Sequence, residues 1–520
     1  MKPGRSIAQW IRKIFHFLSH RSVAVAVSLV VQILVLVAVL YFFLDYFVYF
    51  YAICLLSSIL VVIGLVNGKS NPAYKIIWIM LIMAMPIFGG IFYLMFGGNT
   101  LRKSTRKKMS RMQGLMQLAL PQTDALEQLR EESLDAFNQS NYLLRYAVAP
   151  PWENTSVEYL PLGECKWERM LVELEKAEHF IFLEYFIIEE GKMWDSILEI
   201  LVRKVKQGVD VRLIYDDVGC LFTLPEGYYR KMESLGIQCR AFNPFIPVLS
   251  ARLNNRDHRK ICVIDGYIGF TGGINLADEY INAYPKHGHW KDVAVMLQGD
   301  AVRNLTVMFL SVWDIICGID EDWSQFYPQK YLPQPVATDG YVQPYSDNPI
   351  DGEAVGETVY LNLITKAERY VYISTPYLII DNEMIVALCN AAKAGVDVRI
   401  LLPHIADKWY VHALSRAYYE TLLEYGVKIY EYTPGFVHAK MFVVDDIYGT
   451  VGTVNLDYRS LYLHFECGTW MYRCRCIGQM KQDYLETLTR SEEVTLQHCR
   501  QIPWYLRLVR SLLRLVAPLM

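Results

Sequence analysis

The chain has 520 residues, 53% of them hydrophobic and 20% charged, and a formal net charge of -3 at pH 7. This length is sufficient for two domains and additional membrane segments. The slightly acidic balance argues against a nuclease, which would need a basic groove for its substrate. Ten of the eleven cysteines follow residue 150 without any evident pairing, which favours a reducing compartment.

The first hundred residues contain three long, uncharged apolar segments. Each has 21 or 22 residues, about the length that crosses the hydrocarbon core of a bilayer. Pro86 and Gly89-Gly90 interrupt the third segment, so a hairpin that re-enters the membrane is an alternative to a full span. A cleaved signal peptide is not expected, because the first segment is too long and a second follows at once. The segments are residues 23–44, 46–66 and 76–96.

Basic residues around these segments set their expected orientation. Those before the first segment and those between the second and third both predict a cytoplasmic location. Three full spans would place the basic run Arg102–Arg111 outside, against the positive-inside rule. We therefore expect a multi-pass protein of the cell membrane in which one segment does not cross and the catalytic part faces the cytoplasm. The basic run would also attract anionic membrane lipids.

The rest of the chain contains a long internal duplication. Lys176-Ala-Glu178 and Lys366-Ala-Glu368 each precede an apolar run and a helical stretch. The sequences Gly208-Val-Asp-Val-Arg212 and Gly395-Val-Asp-Val-Arg399 then lead into a second apolar run in each copy. Strand, helix, strand, helix, strand therefore recurs in the same order. This pattern predicts an α/β fold of two duplicated halves, each with a mostly parallel sheet.

The same short motif closes both copies. A His-x-Lys-x-x-x-x-Asp sequence is followed by an apolar strand, a turn and, at the same distance each time, an Asn. One copy could arise by chance, but two copies with the same Asn offset are not a coincidence. We expect the two copies to form one shared site for a phosphodiester. The candidate catalytic residues are His258, Lys260, Asp265, His438, Lys440 and Asp445, and the candidate substrate-binding residues are Asn275 and Asn455.

These residue types suit phosphoryl transfer. One neutral imidazole can attack phosphorus while the other, protonated, gives its proton to the departing oxygen. Lys260 and Lys440 supply positive charge where the transition state accumulates negative charge, so no metal or other cofactor is expected. Asp265 and Asp445 stand at strand ends, where they are better placed to anchor a turn than to contact phosphate.

The last thirty residues predict an amphipathic helix. Arg507, Arg510 and Arg514 recur at intervals of three and four residues against a broad leucine face, which is typical of a helix in the head-group layer of a membrane. A helix packed on the core is the alternative. The predicted organisation is a basic segment 1–21, a membrane region 22–98, a basic helical linker 99–150, a first half 151–330, a linker 331–350, a second half 351–490 and an amphipathic segment 491–520.

Residues 155–490 resemble the phospholipase D superfamily and, within it, the bacterial cardiolipin synthases. The first half carries the resemblance in Asn255–Ile261, Thr271–Asn275 and Trp290-Lys-Asp292. The second carries it in Thr375-Pro-Tyr377, Gly426–Tyr432, His438-Ala-Lys440 and Asn455–Ser460.

The resemblance implies roles for further residues. A carboxylate is expected to orient each histidine, fixing its tautomer and raising its pKa. Position after each motif assigns Asp292 to His258 and Glu466 to His438. The resemblance also implies that His258 is the nucleophile and His438 the acid and base, although the near-symmetric sequence does not decide this. Many relatives carry Ser where this chain has Gly273 and Thr453, which puts a hydroxyl contact from the first half in doubt.

The implied reaction is a phosphatidyl transfer between two phosphatidylglycerol molecules, which gives cardiolipin and glycerol through a phosphatidyl-histidine intermediate. Phosphatidylglycerol would then be both donor and acceptor, and no nucleic acid partner is expected. A phospholipase D-type hydrolase or a phosphatidylserine synthase-like transferase of the same superfamily is the alternative, and a catalytically inactive membrane scaffold is a third. The sequence does not indicate an oligomeric state.

Overall fold

The computed structural model describes most of the chain as two compact units, residues 1–100 with 244–254 and residues 101–243 with 255–520. The described residues are 47–68, 71–85, 89–93, 97, 103–120, 123–244 and 255–519 except 333, 335, 338 and 350, together with 30, 33, 34, 37, 38 and 41. The predicted basic segment 1–21 and almost all of the apolar segment 23–44 lie outside them.

Three helices are described in the first unit: α1 (Phe47–Asn67), α2 (Pro72–Ala84) and α3 (Gly89–Phe92). Asn71 caps α2 by accepting a hydrogen bond from the amide of Ala73, and Pro72 fits the first helical turn. The third apolar segment is interrupted as its Pro and Gly residues predict. A Cβ atom on Gly89 would lie 2.5 Å from the Cα of Ile82, so α3 begins in close contact with the backbone of α2. None of the helices in the described residues combines the length and apolarity needed to cross a membrane.

The second unit begins with three helices, α4 (Lys103–Ala119), α5 (Ala125–Glu132) and α6 (Leu134–Ala147), in the predicted helical linker. Ser133 caps α6 through the amide of Ala136. Gln139 on α6 accepts a hydrogen bond from the indole of Trp470, so this helix packs directly on the second half.

The first half is built around a seven-stranded sheet in the order β1-β8-β6-β5-β2-β3-β4. Its strands are β1 (Thr155–Leu160), β2 (Phe180–Tyr185), β3 (Asp210–Asp216), β4 (Gln238–Phe242), β5 (Lys260–Ile264), β6 (Ile268–Gly272) and β8 (Ala294–Gly299), while the short β7 (His289–Lys291) lies outside it. The helices of this half are α7 (Gly163–Lys176), α8 (Lys192–Lys206), α9 (Tyr228–Ser234) and α10 (Val302–Cys317).

The second half repeats this plan in an eight-stranded sheet of order β17-β12-β11-β10-β14-β15-β16-β9. Its strands are β9 (Tyr341–Asp347), β10 (Tyr370–Ser374), β11 (Asp397–Pro403), β12 (Lys428–Tyr432), β14 (Met441–Val444), β15 (Tyr448–Gly452), β16 (Glu466–Tyr472) and β17 (Ser491–Val494), with β13 (Gly435–Val437) apart from it. Its helices are α11 (Val355–Lys366), α12 (Asn382–Lys393), α13 (Trp409–Ser415), α14 (Tyr419–Glu424), α15 (Tyr458–Tyr462), α16 (Cys476–Leu488), α17 (Leu496–Arg500) and α18 (Trp504–Val516).

The α/β class and the duplication are confirmed, but the prediction of mostly parallel sheets is wrong. Among the described strands, only β2–β3, β3–β4, β10–β11 and β11–β12 pair in parallel within the two large sheets. Helical crossovers connect those strands. The motif strands β5 and β14 instead continue through tight turns into β6 and β15, and a hairpin can only be antiparallel.

Two segments predicted to lie outside the halves contribute edge strands. β9 falls within the predicted linker 331–350 and pairs with β16. β17 falls within the predicted C-terminal segment 491–520 and pairs with β12. Polar residues such as Ser491, Glu492 and Glu493 in β17 concealed this pairing, because an exposed edge strand needs no apolar face.

One apolar core joins the two halves. Phe182, Val263 and Phe309 from the first half belong to the same buried cluster as Val443 and Met480 from the second. Removal of this apolar surface from water is the main term that holds the halves together. Groups on strands of different halves are therefore held in a fixed mutual position.

Asp265 and Asp445 anchor the turns that follow the motif strands. The carboxylate of Asp265 accepts hydrogen bonds from the amides of Glu178, His179 and Phe180. Asp445 does the same for residues 368, 369 and 370. Both aspartates adopt positive φ angles, 47° and 55°. They act on the backbone of the sheet, the position expected of residues that anchor a turn, and a catalytic role for them stays a prediction.

We expect Asp265→Ala to lower the free energy of unfolding by about 3 kcal/mol, because three amides lose their acceptor at once. Asp320→Ala is the matched control, since Asp320 is exposed and pairs only with exposed Arg111 among the described residues, which predicts a change below about 1 kcal/mol. Denaturant unfolding of both variants measures the difference. Loss of activity in Asp265→Ala without loss of stability would contradict the anchoring role.

Candidate functional site

Backbone pairing between the halves positions the two motif histidines. The amide of His258 donates to the carbonyl of Phe465 at 2.9 Å, and the amide of Phe465 donates to the carbonyl of Arg256 at 2.8 Å. In the equivalent contact of the other motif, the amide of His438 donates to the carbonyl of Lys291 at 2.7 Å. This bond lies at the end of the parallel pair formed by β13 and β7. Each histidine is thus attached to a strand of the opposite half.

The residue after each carbonyl acceptor is a buried carboxylate that contacts the histidine. Nδ1 of His258 lies 2.9 Å from Oε2 of Glu466, and Nδ1 of His438 lies 2.7 Å from Oδ2 of Asp292. Since a carboxylate only accepts, each Nδ1 carries its proton, and the lone pair is on Nε2. Among the described residues, neither Nε2 has a hydrogen-bond partner, so both are available to a substrate.

The predicted carboxylate pairing is therefore wrong, although both carboxylates were identified. The prediction pairs Asp292 with His258 and Glu466 with His438, each within one half. In the structure, Glu466 contacts His258 and Asp292 contacts His438, so each pair joins the two halves. The cause is the parallel pairing of β7 with β13 and of Asp257 with Phe465, which places the end of one half against the motif of the other. Neither half can form a complete histidine–carboxylate pair alone.

Gly273 and Thr453 fit this arrangement. A Cβ on Gly273 would lie 2.2 Å from Oδ1 of Asp292, so any side chain there would displace the carboxylate. Thr453, the equivalent residue of the second half, instead donates its hydroxyl to Oε2 of Glu466 at 2.5 Å. The two pairs therefore have different supports: Asp292 accepts from the backbone amide of Val293, and Glu466 accepts from a hydroxyl.

Burial determines the charge of both histidines. It lowers the pKa of His258 to about 3, although Glu466 acts in the opposite direction. Burial, followed by Lys440 and Lys260, lowers the pKa of His438 well below its usual range. Glu466 thus raises the pKa of His258 as expected, but the loss of hydration outweighs the ion pair, so the net shift of the pKa is downward. Burial therefore favours the neutral form of both imidazoles.

The same burial raises the pKa of Asp292 to about 6, and Lys440 opposes this shift. The two lysines are also shifted: burial lowers the pKa of Lys260 to about 7 and that of Lys440 to about 8. Lys260 donates to the carbonyl of His258 at 2.5 Å, and Lys440 donates to the carbonyl of His438. Each ammonium is therefore held at the backbone carbonyl of the histidine of its own motif.

A lysine loses its charge as the pH rises through its pKa, so both lysines make the site sensitive to mild alkali. We expect kcat/KM to fall above pH 7 to 8, by up to about tenfold per pH unit, because this parameter reports groups in the free enzyme. Lys260→Arg and Lys440→Arg keep their charge and should each move the descending limb to higher pH. Profiles of kcat/KM against pH, each normalised to the maximum of its own variant, test this prediction. A descending limb at the same pH in the wild type and both variants would contradict it.

The two candidate asparagines have different environments. Asn275 accepts from the amide of Ile187 and donates to the hydroxyl of Tyr280, so its side chain supports the fold. Asn455 is also buried, but its Oδ1 has no hydrogen-bond partner among the described residues. Of these two side chains, that of Asn455 thus carries a buried acceptor without a partner, while that of Asn275 is held by the fold.

Aromatic and imidazole rings line the site unequally. His438 is surrounded by Tyr280, Trp290 and Phe436, whose ring centroids lie 5.4 to 6.0 Å from its own. His258 instead has Phe186 at 5.0 Å and His464 at 5.7 Å. Sequence reasoning did not identify Thr453 as a support of Glu466 and did not single out His464. The position of His464 two residues before Glu466, where the first half has Trp290, was the available signal.

Family models match most of the two halves. A model described as the phospholipase D-like domain of cardiolipin synthase matches residues 170–313 and 360–488. Another, described as phospholipase D-nuclease N-terminal, matches residues 56–98.

Relatives match nearly the whole chain. An uncharacterised protein of Streptococcus mutans is 45% identical over 463 residues, which cover 88% of this chain and 99% of the relative. A cardiolipin synthase of Halalkalibacterium halodurans is 35% identical over 484 residues, which cover 90% of this chain and 93% of the synthase. The crystal structure of phosphatidylserine synthase from Haemophilus influenzae shares the fold, with a TM-score of 0.54 and 14% identity over 70% of this chain and 93% of that one. The chain is thus a member of the cardiolipin synthase family and, with it, a phosphatidyltransferase of the phospholipase D superfamily.

Proposed function

We propose that this enzyme makes cardiolipin and glycerol from two molecules of phosphatidylglycerol. The observation that carries the proposal is the pair of buried histidines, each bonded through Nδ1 to a carboxylate of the other half and free at Nε2. Two such imidazoles beside two lysines are sufficient to exchange one phosphodiester for another. The products contain the same number of phosphodiester bonds as the substrates, so no nucleotide is consumed.

In the first step, Nε2 of His258 attacks the phosphorus of the donor lipid. A P–N bond forms, the P–O bond to the head-group glycerol breaks, and His438 gives its proton to the departing oxygen. The negative phosphodiester raises the pKa of His438 when it binds, which supplies the protonated form. Glu466 stabilises the positive charge that develops on His258, and the lysines stabilise the negative charge on the phosphoryl oxygens.

In the second step, a glycerol hydroxyl of another phosphatidylglycerol attacks the phosphatidyl-histidine. Its proton passes to Nε2 of His438, the P–N bond breaks, and His258 returns to its neutral form. Water could replace this alcohol and give phosphatidic acid. The burial of the histidines and the aromatic rings around His438 limit access of water and so favour the lipid acceptor.

A membrane location agrees with the exposed apolar surface at both ends of the chain. Helix α1 carries no charged residue and exposes large side chains such as Val48 (76%) and Ile53 (65%). Helix α18 buries none of its residues and exposes Trp504 (76%) and Leu512 (57%). Arginines 507, 510 and 514 accompany these apolar groups, as in helices that lie in anionic head-group layers. We take α18 as a surface helix and the apolar N-terminal segments as the membrane anchor, with the catalytic unit on the cytoplasmic side.

Purified full-length protein in phosphatidylglycerol-detergent micelles, with a chelator and without nucleotide, tests the activity. Mass spectrometry should find cardiolipin and free glycerol in equal amounts. Phosphatidic acid as the sole lipid product would make the protein a hydrolase. If product forms only after a nucleotide-activated lipid and serine are added, the protein is a phosphatidylserine synthase-like transferase. If no product forms under either condition, the protein is a catalytically inactive membrane scaffold.

A further inference from the structure

The backbone amide of each catalytic histidine donates to a carbonyl of the other half. The residue just before that carbonyl differs between the two ends of the active site. Lys291 accepts the amide of His438 and is preceded by Trp290, whereas Phe465 accepts the amide of His258 and is preceded by His464. The two positions are thus equivalent. Trp290 packs on His438 with ring centroids 5.4 Å apart, and His464 packs on His258 at 5.7 Å. At these two equivalent positions, the His258 end therefore carries a second imidazole and the His438 end an indole.

His464 has no role in the mechanism given above, and its ring nitrogens lack hydrogen-bond partners in the described part of the chain. Its side chain is only 11% exposed, and among the described residues neither Nδ1 nor Nε2 makes a hydrogen bond. Nδ1 lies 3.8 Å from Oε1 of Glu466, which is too long for one. A buried imidazole in this state is costly unless a ligand completes its coordination.

The donor atoms around His464 form a compact set. One donor atom each from His258, His464 and Glu466 lie within 4.8 Å of one another. In a tetrahedral zinc site with bonds of about 2.0 to 2.1 Å, neighbouring donors are roughly 3.3 Å apart, so small side-chain rotations suffice. Thr453 already holds the other side of the Glu466 carboxylate. Two imidazoles and one carboxylate, with an open fourth position, are a donor set typical of zinc.

We propose that His258, Glu466 and His464 form a binding site for a divalent transition metal such as Zn²⁺, and that its occupation inhibits phosphatidyl transfer. The metal displaces the proton from Nδ1 of His258 and breaks the hydrogen bond to Glu466. It also withdraws electron density from the ring, so Nε2 becomes a poor nucleophile. The other end cannot do this because Trp290 offers no ligand atom.

Metal titration of the full-length enzyme tests this site directly. Isothermal titration with Zn²⁺ should show one site, and Co²⁺ should give a visible d–d spectrum without the charge-transfer band of a thiolate ligand. His464→Asn removes the ligand and His464→Trp copies the first half. Each should weaken metal binding at least tenfold, which is the scale of losing even an outer-shell partner. The Zn²⁺ concentration for half inhibition should rise by a similar factor. His498→Ala, at an exposed histidine, should change neither quantity.

Binding is measured without substrate, so the result does not depend on the proposed reaction or on the activity of the variants. Three outcomes would overturn the proposal. The wild-type protein takes up no metal at micromolar concentrations, the Co²⁺ complex shows a thiolate band, or both His464 variants bind metal as tightly as the wild type. If the His464 variants do not fold, Glu466→Gln must lose the same metal.

Discussion

Alanine in place of either His258 or His438 is expected to lower the rate of phosphatidyl transfer by at least about 10⁴-fold, because each residue takes part in every turnover. The two imidazoles act as one unit, so the double variant should be hardly slower than either single variant. Transfer from phosphatidylglycerol, measured by mass spectrometry of cardiolipin, gives these rates. His498→Ala changes an exposed histidine and should stay within twofold of the wild type.

A donor lipid with a good leaving group separates the roles of the two histidines. A p-nitrophenyl ester of phosphatidic acid needs no protonation of its leaving group, so His438→Ala should still release p-nitrophenol in a single burst. His258→Ala should give no burst, because the covalent bond cannot form. A burst from His258→Ala and none from His438→Ala would reverse the assignment of nucleophile and acid.

The second large effect concerns the crossed carboxylates. Glu466→Gln and Asp292→Asn should each lower the transfer rate by about 10³-fold, since an amide presents a different hydrogen-bond pattern to Nδ1 and favours the wrong tautomer. Both amides are nearly isosteric with the acids they replace, so the fold should be retained. Circular dichroism and unfolding midpoints control for this.

The p-nitrophenyl donor also shows which histidine each carboxylate serves. Glu466→Gln should lose the burst, because Glu466 supports the nucleophile His258 across the interface. Asp292→Asn should keep the burst and lose only the turnover that follows, because Asp292 supports His438. If each carboxylate served the histidine of its own half, the two variants would show the opposite pattern.

The sequence was sufficient for the duplication, the α/β class, the motif residues and the identity of both carboxylates. It did not predict their pairing, because the partners lie 208 and 146 residues apart and meet through strand contacts between the halves. Position along the chain favoured Asp292 for His258. Tertiary pairing of β7 with β13 places it beside His438 instead.

Charge was the other property that sequence could not give. The carboxylates that the resemblance implies are expected to raise the histidine pKa values, yet both histidines lie in a buried site where the cost of dehydrating a charge dominates. The opposite behaviour of Asp292, whose pKa rises to about 6, has the same cause. Burial is a property of the assembled halves, as the fully buried ammonium of Lys260 also shows.

Rapid quenching of the enzyme with phosphatidylglycerol, followed by peptide mass spectrometry under alkaline conditions that preserve phosphoramidates, tests the central claim most directly. The account predicts one phosphatidyl group on the peptide that contains His258, at a level that falls when excess phosphatidylglycerol acceptor is chased in and cardiolipin appears. A phosphatidyl group on His438, or cardiolipin formed with no covalent adduct on either histidine, would contradict it.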